Sequence, residues 1–406
     1  MNIIERLPDG VKFVEYAGQT ITPGAYASAA NSVISAQDAA DALAEISSWQ
    51  HYQATPLISL TKLSSHLDCG MIAYKDESKR FGLGSFKALG GAYAVLCLVA
   101  REYKQVKGSD IGLADIRKGL HKDFSSKMMV TTATDGNHGR SVAWGAKNAG
   151  CQCRIYIHRE VSEGRKLAME AYGAKVIRID GDYDESVRHC ATESADNGWF
   201  VVSDTSYENY MRVPRDVMAG YTVIASEVKQ QIEKPLTHIF IQAGVGGLAA
   251  AVCAGLWMDT GADRPRIIVV ETEHADCWLK SIKARKPTPV SISVETVMAG
   301  LSCGEVSQLA WDVLSLCIDA VITLADDQVP AAMRLFADGE MAKEKIEAGE
   351  CAVPGALALM AVCADKTLKA KLAIDATSHV LLLGCEGVTD PEIYQRLLAS
   401  TEQTVQ

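Results

Sequence analysis

A chain of 406 residues, 48% hydrophobic and 22% charged, is long enough for two domains, each with its own core. Its net charge of −10 carries no basic block, which argues against nucleic acid or an anionic membrane as partner. No apolar run approaches the roughly 20 residues that span a bilayer, and the opening Met1-Asn2-Ile3-Ile4-Glu5-Arg6 has no signal-peptide pattern. Twelve cysteines lie scattered without CxxC or zinc spacing; they read as reduced thiols of a cytoplasmic protein, with no metal site expected.

Residues 1–55 read as a leading segment, with a loop at Pro23-Gly24 and an amphipathic helix from Ala36 to Trp49. A strand at Met71–Tyr74 breaks into the charged, glycine-bearing loop Lys75–Gly84, and a small-residue helix runs from about Ser85 to about Arg101. The polar stretch Glu102–Lys127 reads as a helical connector. Strands are then predicted at Met128–Thr132, Arg154–His158, Lys175–Ile179, Phe200–Ser203, His238–Gln242, Arg266–Glu271, Ala320–Thr323 and His379–Gly384. Between them fit helices at Gly139–Ala149, Glu163–Tyr172, Tyr183–Asn197, Val217–Ile232, Gly247–Trp257, Val329–Gly349 and Pro354–Cys363. Short β-branched runs separated by helix-length segments mean βαβ units and mostly parallel sheets. There are too many strands for one unit of ordinary size, so the fold class is α/β with two packed domains.

Four stretches carry chemistry. Lys87 falls in the first turn of a helix, where the dipole disfavours a cation. Phe86, Ala88 and Leu89 surround it with apolar surface, the setting a Schiff-base lysine needs, although a solvated lysine is the simpler alternative. Ala243-Gly244-Val245-Gly246-Gly247-Leu248 joins a strand to a small-residue helix, so its N–H groups and the helix start suit a phosphate. A dinucleotide loop, with Glu271 at the end of the next strand, and a plain tight turn stay open. Thr134-Asp135-Gly136-Asn137-His138-Gly139 also joins a strand to a helix, and Asp135 could simply cap that helix. Asp204 ends a strand and leads into the aromatic loop around Tyr207; it could serve a site or merely form the turn.

The order of these stretches resembles the fold-type II pyridoxal phosphate (PLP) enzymes, the threonine dehydratase and cysteine synthase group, from about Thr55 to the end. Within the group, Lys75 to Ala94, Ala133 to Arg140 and Met298-Ala299-Gly300-Leu301 resemble the diaminopropionate ammonia-lyases. The resemblance implies a large, discontinuous domain (1–89 and 199–406), a small one (90–198), PLP between them, and a homodimer acting on a small amino acid. It implies that Lys87, with Phe86 beside it, bonds to PLP. Asn137 would meet the ring hydroxyl, Gly244 to Leu248 would hold the phosphate, and Thr134 with His138 would lie at the substrate. Asp135, where the hydroxy-amino-acid dehydratases carry a small neutral residue, would hold a substrate ammonium together with Asp204, near Tyr207. The family's serine against the ring nitrogen aligns with Gly384, so Cys385, Thr389 or a water would take its place. Glu350 is either a supporting residue of the site or a solvated charge at a helix end, and Cys277 and Cys303 border the site closely enough to be a candidate disulfide. The implied reaction is α,β-elimination of ammonia from 2,3-diaminopropionate to give pyruvate. A serine or threonine dehydratase, a β-replacement enzyme and a colourless nucleotide-binding protein are the alternatives.

Overall fold

Runs of Val, Ile and Leu become strands in the order the alternation predicts. The computed structural model describes residues 13–19 and 21–400; the opening hexapeptide read for a leader lies outside them. Strands are numbered along the chain: β1 (Glu15–Gly18), β2 (Leu57–Ser59), β3 (Met71–Asp76), β4 (Met129–Ala133), β5 (Gln152–Ile157), β6 (Lys175–Arg178), β7 (Phe200–Val201), β8 (His238–Gln242), β9 (Arg266–Thr272), β10 (Ile318–Leu324) and β11 (His379–Gly384).

The chain divides into two units. One is built from residues up to Val33, 54–84 and 224 onward, the other from 34–53 and 85–223. The first unit holds a seven-stranded sheet in the order β1-β10-β9-β8-β11-β3-β2. Its five inner strands run parallel, and the short β1 and β2 close the edges antiparallel. Every residue of β8 is buried, as in a parallel sheet covered on both faces. The second unit holds the all-parallel sheet β6-β5-β4-β7. The expected cuts at 89/90 and 198/199 differ from this partition. The Lys87–Lys107 helix packs on the Asn137–Ala149 helix and against Gly220, where a Cβ would lie 2.4 Å from the Leu89 carbonyl, so Lys87 and residues 199–223 go with the second unit.

Several boundaries move for local reasons. The helix expected from Ala36 to Trp49 is capped by the reciprocal Ser35–Asp38 box and stops at Ser47. The Lys87 helix continues to Lys107 and ends on left-handed Gly108. The helix expected over Val329–Gly349 stops at Ala337, because Gly339 turns left-handed and Ile346 donates its N–H back to the Phe336 carbonyl. The helix expected from Val217 starts at Arg212, with Pro214 tolerated in its first turn. Edge strands β1 and β2, and short helices such as Cys277–Ala284 and Pro391–Ala399, carry too little periodicity to be read in advance.

The loop after β3 has a buried anchor. Lys75, Glu77 and Arg80 are at most 2% exposed, and Glu227 is 1% exposed. Arg80 donates to both oxygens of Glu227 at 2.7 Å and to both of Glu77 at 2.7 and 2.8 Å. The Lys75 ammonium donates to Glu227 at 2.6 Å, to the Thr55 carbonyl at 2.7 Å and to Gln231 at 2.9 Å. Thr55 adds its hydroxyl to Glu77 at 2.5 Å. Two cations therefore meet two carboxylates with their donors used. Burial pushes Glu227 up, but Arg80 and Lys75 beside it hold it below the usual carboxylate range. A set so fully paired tolerates burial, but removing one member strands the others. Arg80→Met should therefore cost about 3–5 kcal/mol of unfolding free energy in denaturant titration; a loss under about 1 kcal/mol would show that the cluster does not hold this loop.

Candidate active site

In the second unit, Lys87 is the first residue of its helix, with Phe86 at the N-cap. The Ser141 hydroxyl donates to the Lys87 carbonyl at 2.6 Å and accepts the Ala92 N–H at 3.1 Å, which ties the helix start to the Asn137–Ala149 helix. The approach is close: a Cβ on Gly91 would fall 2.5 Å from Ser141 Oγ, and one on Gly145 2.6 Å from Ala92 Cα. Phe86 stacks edge-on against Tyr221 at 4.8 Å, and the Lys87 ammonium lies 5.3 Å from the Phe86 ring centre.

That ammonium is ion-paired with Asp204. The carboxylate offsets the unfavourable end of the helix dipole. Burial pushes Asp204 up, yet Lys87 more than compensates and holds it well below the usual carboxylate range. Asp204 is thus a fixed anion, not a turn former; the turn is made by Ser203 Oγ, which accepts the Thr205 N–H at 3.1 Å. His138 is buried with Nε2 2.8 Å from the Val202 carbonyl, and its Nδ1 is 3.8 Å from Asp204 Oδ2. Burial lowers the His138 pKa. A carbonyl accepts only, so Nε2 carries the proton and Nδ1 offers a lone pair toward Asp204. Tyr210 shapes the same loop, donating to the Val201 carbonyl at 2.9 Å and accepting the Ser203 N–H at 3.0 Å. Tyr207 stacks on it and is 56% exposed.

Asp135 does not cap the following helix. Thr134 does: its hydroxyl oxygen accepts the N–H groups of Gly136 at 3.1 Å and Gly139 at 3.2 Å. A Cβ on Gly139 would sit 2.4 Å from Thr134 Cγ2 and exclude that geometry. The Asp135 carboxylate lies 2.9 Å from His158 Nε2, an ion-pair contact that misses hydrogen-bond alignment. Its carbonyl accepts from Arg165 at 3.4 Å. Asn137 opens the helix itself. Lys87, Phe86, Asp204 and His138 are therefore gathered in one place, whereas Asp135 sits with His158 and Arg165.

In the first unit, Gly246 takes φ +97 as the N-cap of the Gly247–Thr260 helix. A Cβ there would fall 2.2 Å from Trp278, whose indole N–H donates to the Gly244 carbonyl at 2.8 Å. A Cβ on Gly244 would meet Cys303 Sγ and the Gly300 carbonyl, each at 2.9 Å. Val245 offers its carbonyl to the Ser307 N–H at 2.9 Å. Among the described residues, no acceptor takes the N–H groups of Gly244, Val245, Gly246, Gly247 or Leu248. This is an anion cradle with its back walled by side chains.

Glu271 does not bind a ribose. It is fully buried and accepts the N–H groups of Trp278 at 2.7 Å and Leu279 at 2.9 Å, capping the helix that carries the wall. Cys277 points its thiol at the same carboxylate, 3.6 Å away, and both Cys277 and Cys303 are free thiols. Gly384 is explained by Tyr74, whose ring a Cβ would approach to 2.2 Å, so no serine fits there. Cys385 is buried and donates to the Cys351 carbonyl at 3.2 Å, while Thr389 uses its N–H on the Gly387 turn. Glu350 is buried, not solvated, and its carboxylate gathers with Cys351 and Glu386 within 4.8 Å.

Three site residues escaped the sequence reading. Tyr221 is a buried phenol without a hydrogen-bond partner among the described residues, and it packs on the residue before Lys87. His158, beside Asp135, follows β5; the end of a parallel strand was the available signal. Trp278 lies on a helix too short to show a period.

Burial pushes the Glu271 pKa from 4.5 to about 8, with the two N–H bonds restraining the rise. A carboxyl raised on folding contributes stability below its unfolded pKa and loses it as pH climbs through its folded value. The wild type should therefore lose more Tm than Glu271→Gln between about pH 5 and about pH 9. Equal losses in a scanning fluorimetry series would mean that Glu271 ionises freely in place.

Residues 48–386 match the family described as pyridoxal-phosphate dependent enzyme. Diaminopropionate ammonia-lyase of Escherichia coli (strain K12) is 35% identical over 353 residues, covering 86% of this chain and 87% of that protein. The same-named protein of Salmonella typhimurium is 34% identical over 358 residues, covering 86% and 88%. The crystal structure of the Escherichia coli lyase in complex with D-serine matches with a TM-score of 0.88 and 31% identity, covering 98% of this chain and 100% of that one. The same enzyme in complex with an aminoacrylate-PLP azomethine reaction intermediate matches at 0.85 and 32%, covering 96% and 97%. The chain therefore belongs to the pyridoxal-phosphate dependent enzymes, in their diaminopropionate ammonia-lyase branch.

Proposed function

We propose that the protein eliminates ammonia from 2,3-diaminopropionate, giving pyruvate and ammonia. The observation that carries this reading is Asp135. Thr134 relieves it of the capping role, which leaves its carboxylate facing only His158 at the start of the substrate loop.

The residues fit PLP. Five N–H groups that meet no acceptor among the described residues suit its phosphate, and Lys87 opens its helix beside a fixed anion. Asn137 at its helix start would meet the ring hydroxyl, and Cys385 would be the neutral residue at the ring nitrogen, its thiol turning there from the Cys351 carbonyl. When bound, PLP supplies an electron sink for loss of the substrate α-proton.

The chain supplies the rest. Asp204 is held ionised by Lys87, so it orients charge and does not accept protons while that lysine is cationic. Once the Lys87 nitrogen is engaged, the Asp204 carboxylate is left to hold a substrate ammonium. The Lys87 nitrogen is the group that carries the α-proton when released. The β-amine must leave as ammonia, and Asp135 with His158 beside it can hold and deliver the proton this requires. Thr134 and the helix start at Asn137 would receive the substrate carboxylate. His138, held by its Nε2–H on the Val202 carbonyl, lines the site beside Asp204.

A dehydratase acting on serine is the second reading, favoured by the relative whose structure holds D-serine. The two separate on one variant. Asp135→Asn should lower kcat/KM for diaminopropionate about a hundredfold, roughly 2.7 kcal/mol, and lower it for serine much less. Equal losses on both substrates would hand the reading to the dehydratase.

The protein also works, on this reading, as a cytoplasmic homodimer. Twelve free thiols support a reducing compartment, and the family resemblance supports the dimer. Light scattering should give twice 43.6 kDa; a monomer mass with full activity would refute the dimer.

A further inference from the structure

A second pocket lies in the same unit as Lys87, toward the far end of its helix. Arg101 is fourteen residues along from Lys87, or about 21 Å at the rise of an α-helix. The pocket has a volume of about 220 Å³. Its walls come from the Ala36–Ser47 helix, the Lys87–Lys107 helix, Leu113 and the first two turns of the Arg212–Gln231 helix.

Its charges balance on paper but not in geometry. Arg215 is taken by Asp38 at 2.9 Å, and Asp38 is also fixed by Ser35. Arg101 gives Nη1 to Asp216, but its Nη2 is buried and meets no acceptor among the described residues. Arg212 approaches Asp216 only to 4.0 Å and is 65% exposed, free to swing over the opening. The remaining acid, Asp41, accepts from Gln37 at 2.8 Å on its own helix. What the pocket lacks is therefore an acceptor, opposite two guanidinium groups and beside the positive end of a 20-residue helix. The uncharged part of the lining, its floor, is Tyr93, Cys97, Ala100, Leu113 and Ala219, with the Tyr93 hydroxyl and the Cys97 thiol bonded to each other. With three aspartates in the lining, a dianion would be repelled, whereas a single planar carboxylate satisfies the free donors and leaves a small apolar body on the floor.

We propose that this pocket binds a small organic monocarboxylate. The ligand would bridge the Lys87 helix to the Arg212 helix. Both reach the cofactor lysine, one by carrying it and the other through Tyr221 packed on Phe86. That connection makes the pocket a place from which a carboxylate can alter the enzyme without occupying its active site.

Pyruvate serves as probe because it has no amine to react at Lys87. Equilibrium dialysis of the holoenzyme against labelled pyruvate should find one site per chain with a Kd on the order of 1 mM. Arg212→Ala should weaken it by about fivefold or more, and Ala100→Leu, which fills the floor, should abolish it. Inorganic phosphate should not compete. Both substitutions lie outside the active site, and circular dichroism with basal turnover checks that each variant folds. No saturable binding up to about 50 mM, equal affinity in both variants, or displacement by phosphate would each overturn the proposal.

Discussion

The structure depends on a charge cluster that never meets solvent. Lys75, Glu77, Arg80 and Glu227 neutralise one another inside the first unit, with Thr55 and Gln231 filling the remaining valences. Between Arg80 and Lys87 only six residues intervene, and three of them or their neighbours take left-handed conformations: Phe81 at φ +50, Gly82 at +71 and Gly84 at +80. A segment with that much backbone constraint does not hold its course on propensity alone. The buried guanidinium fixes where the loop begins, and the Ser141 bonds fix where the helix begins. The geometry of the lysine is thus set at both ends by hydrogen bonds and not by the lysine itself.

From there the electrostatics follow. A cation at a helix N-terminus needs an anion, and Asp204 provides it. Asp204 is mostly buried, and the Lys87 ammonium supplies most of the compensation for its lost hydration, while His138 beside it stays neutral. The glycine loop in the other unit shows the same economy. Its carbonyls are used, by Trp278 on Gly244 and by Ser307 on Val245, while its N–H groups are left open. Donors without acceptors, backed by an indole that would collide with any Cβ at Gly246, specify an oxyanion ligand more narrowly than glycine content does.

How much of this was legible in the sequence varied with the range of the interaction. The parallel strands β3, β8, β9 and β11 could be read because burial on both faces writes itself as continuous apolar runs. Lys87, Asn137 and the Gly244–Leu248 loop could be read because their surroundings are local in the chain. Asp135 could be noticed but not interpreted, since the deciding fact is that the neighbouring Thr134 takes its capping role. Glu271 looked like a free strand-end acid and proves to be a buried cap, because the helix it caps begins only six residues later and has no period of its own. The Lys75–Arg80 run is distinctive in the sequence, yet its purpose depends on Glu227, about 150 residues away, which no local pattern announces.

The central claim is that Lys87, and no other lysine, bonds to the cofactor. Borohydride reduction of the yellow holoenzyme followed by peptide mapping tests it directly, because reduction fixes the pyridoxyl group on the nitrogen that holds it. A single modified peptide, labelled at Lys87, is expected. A label on Lys75, Lys79 or any other lysine, or a protein that takes up none, would contradict it.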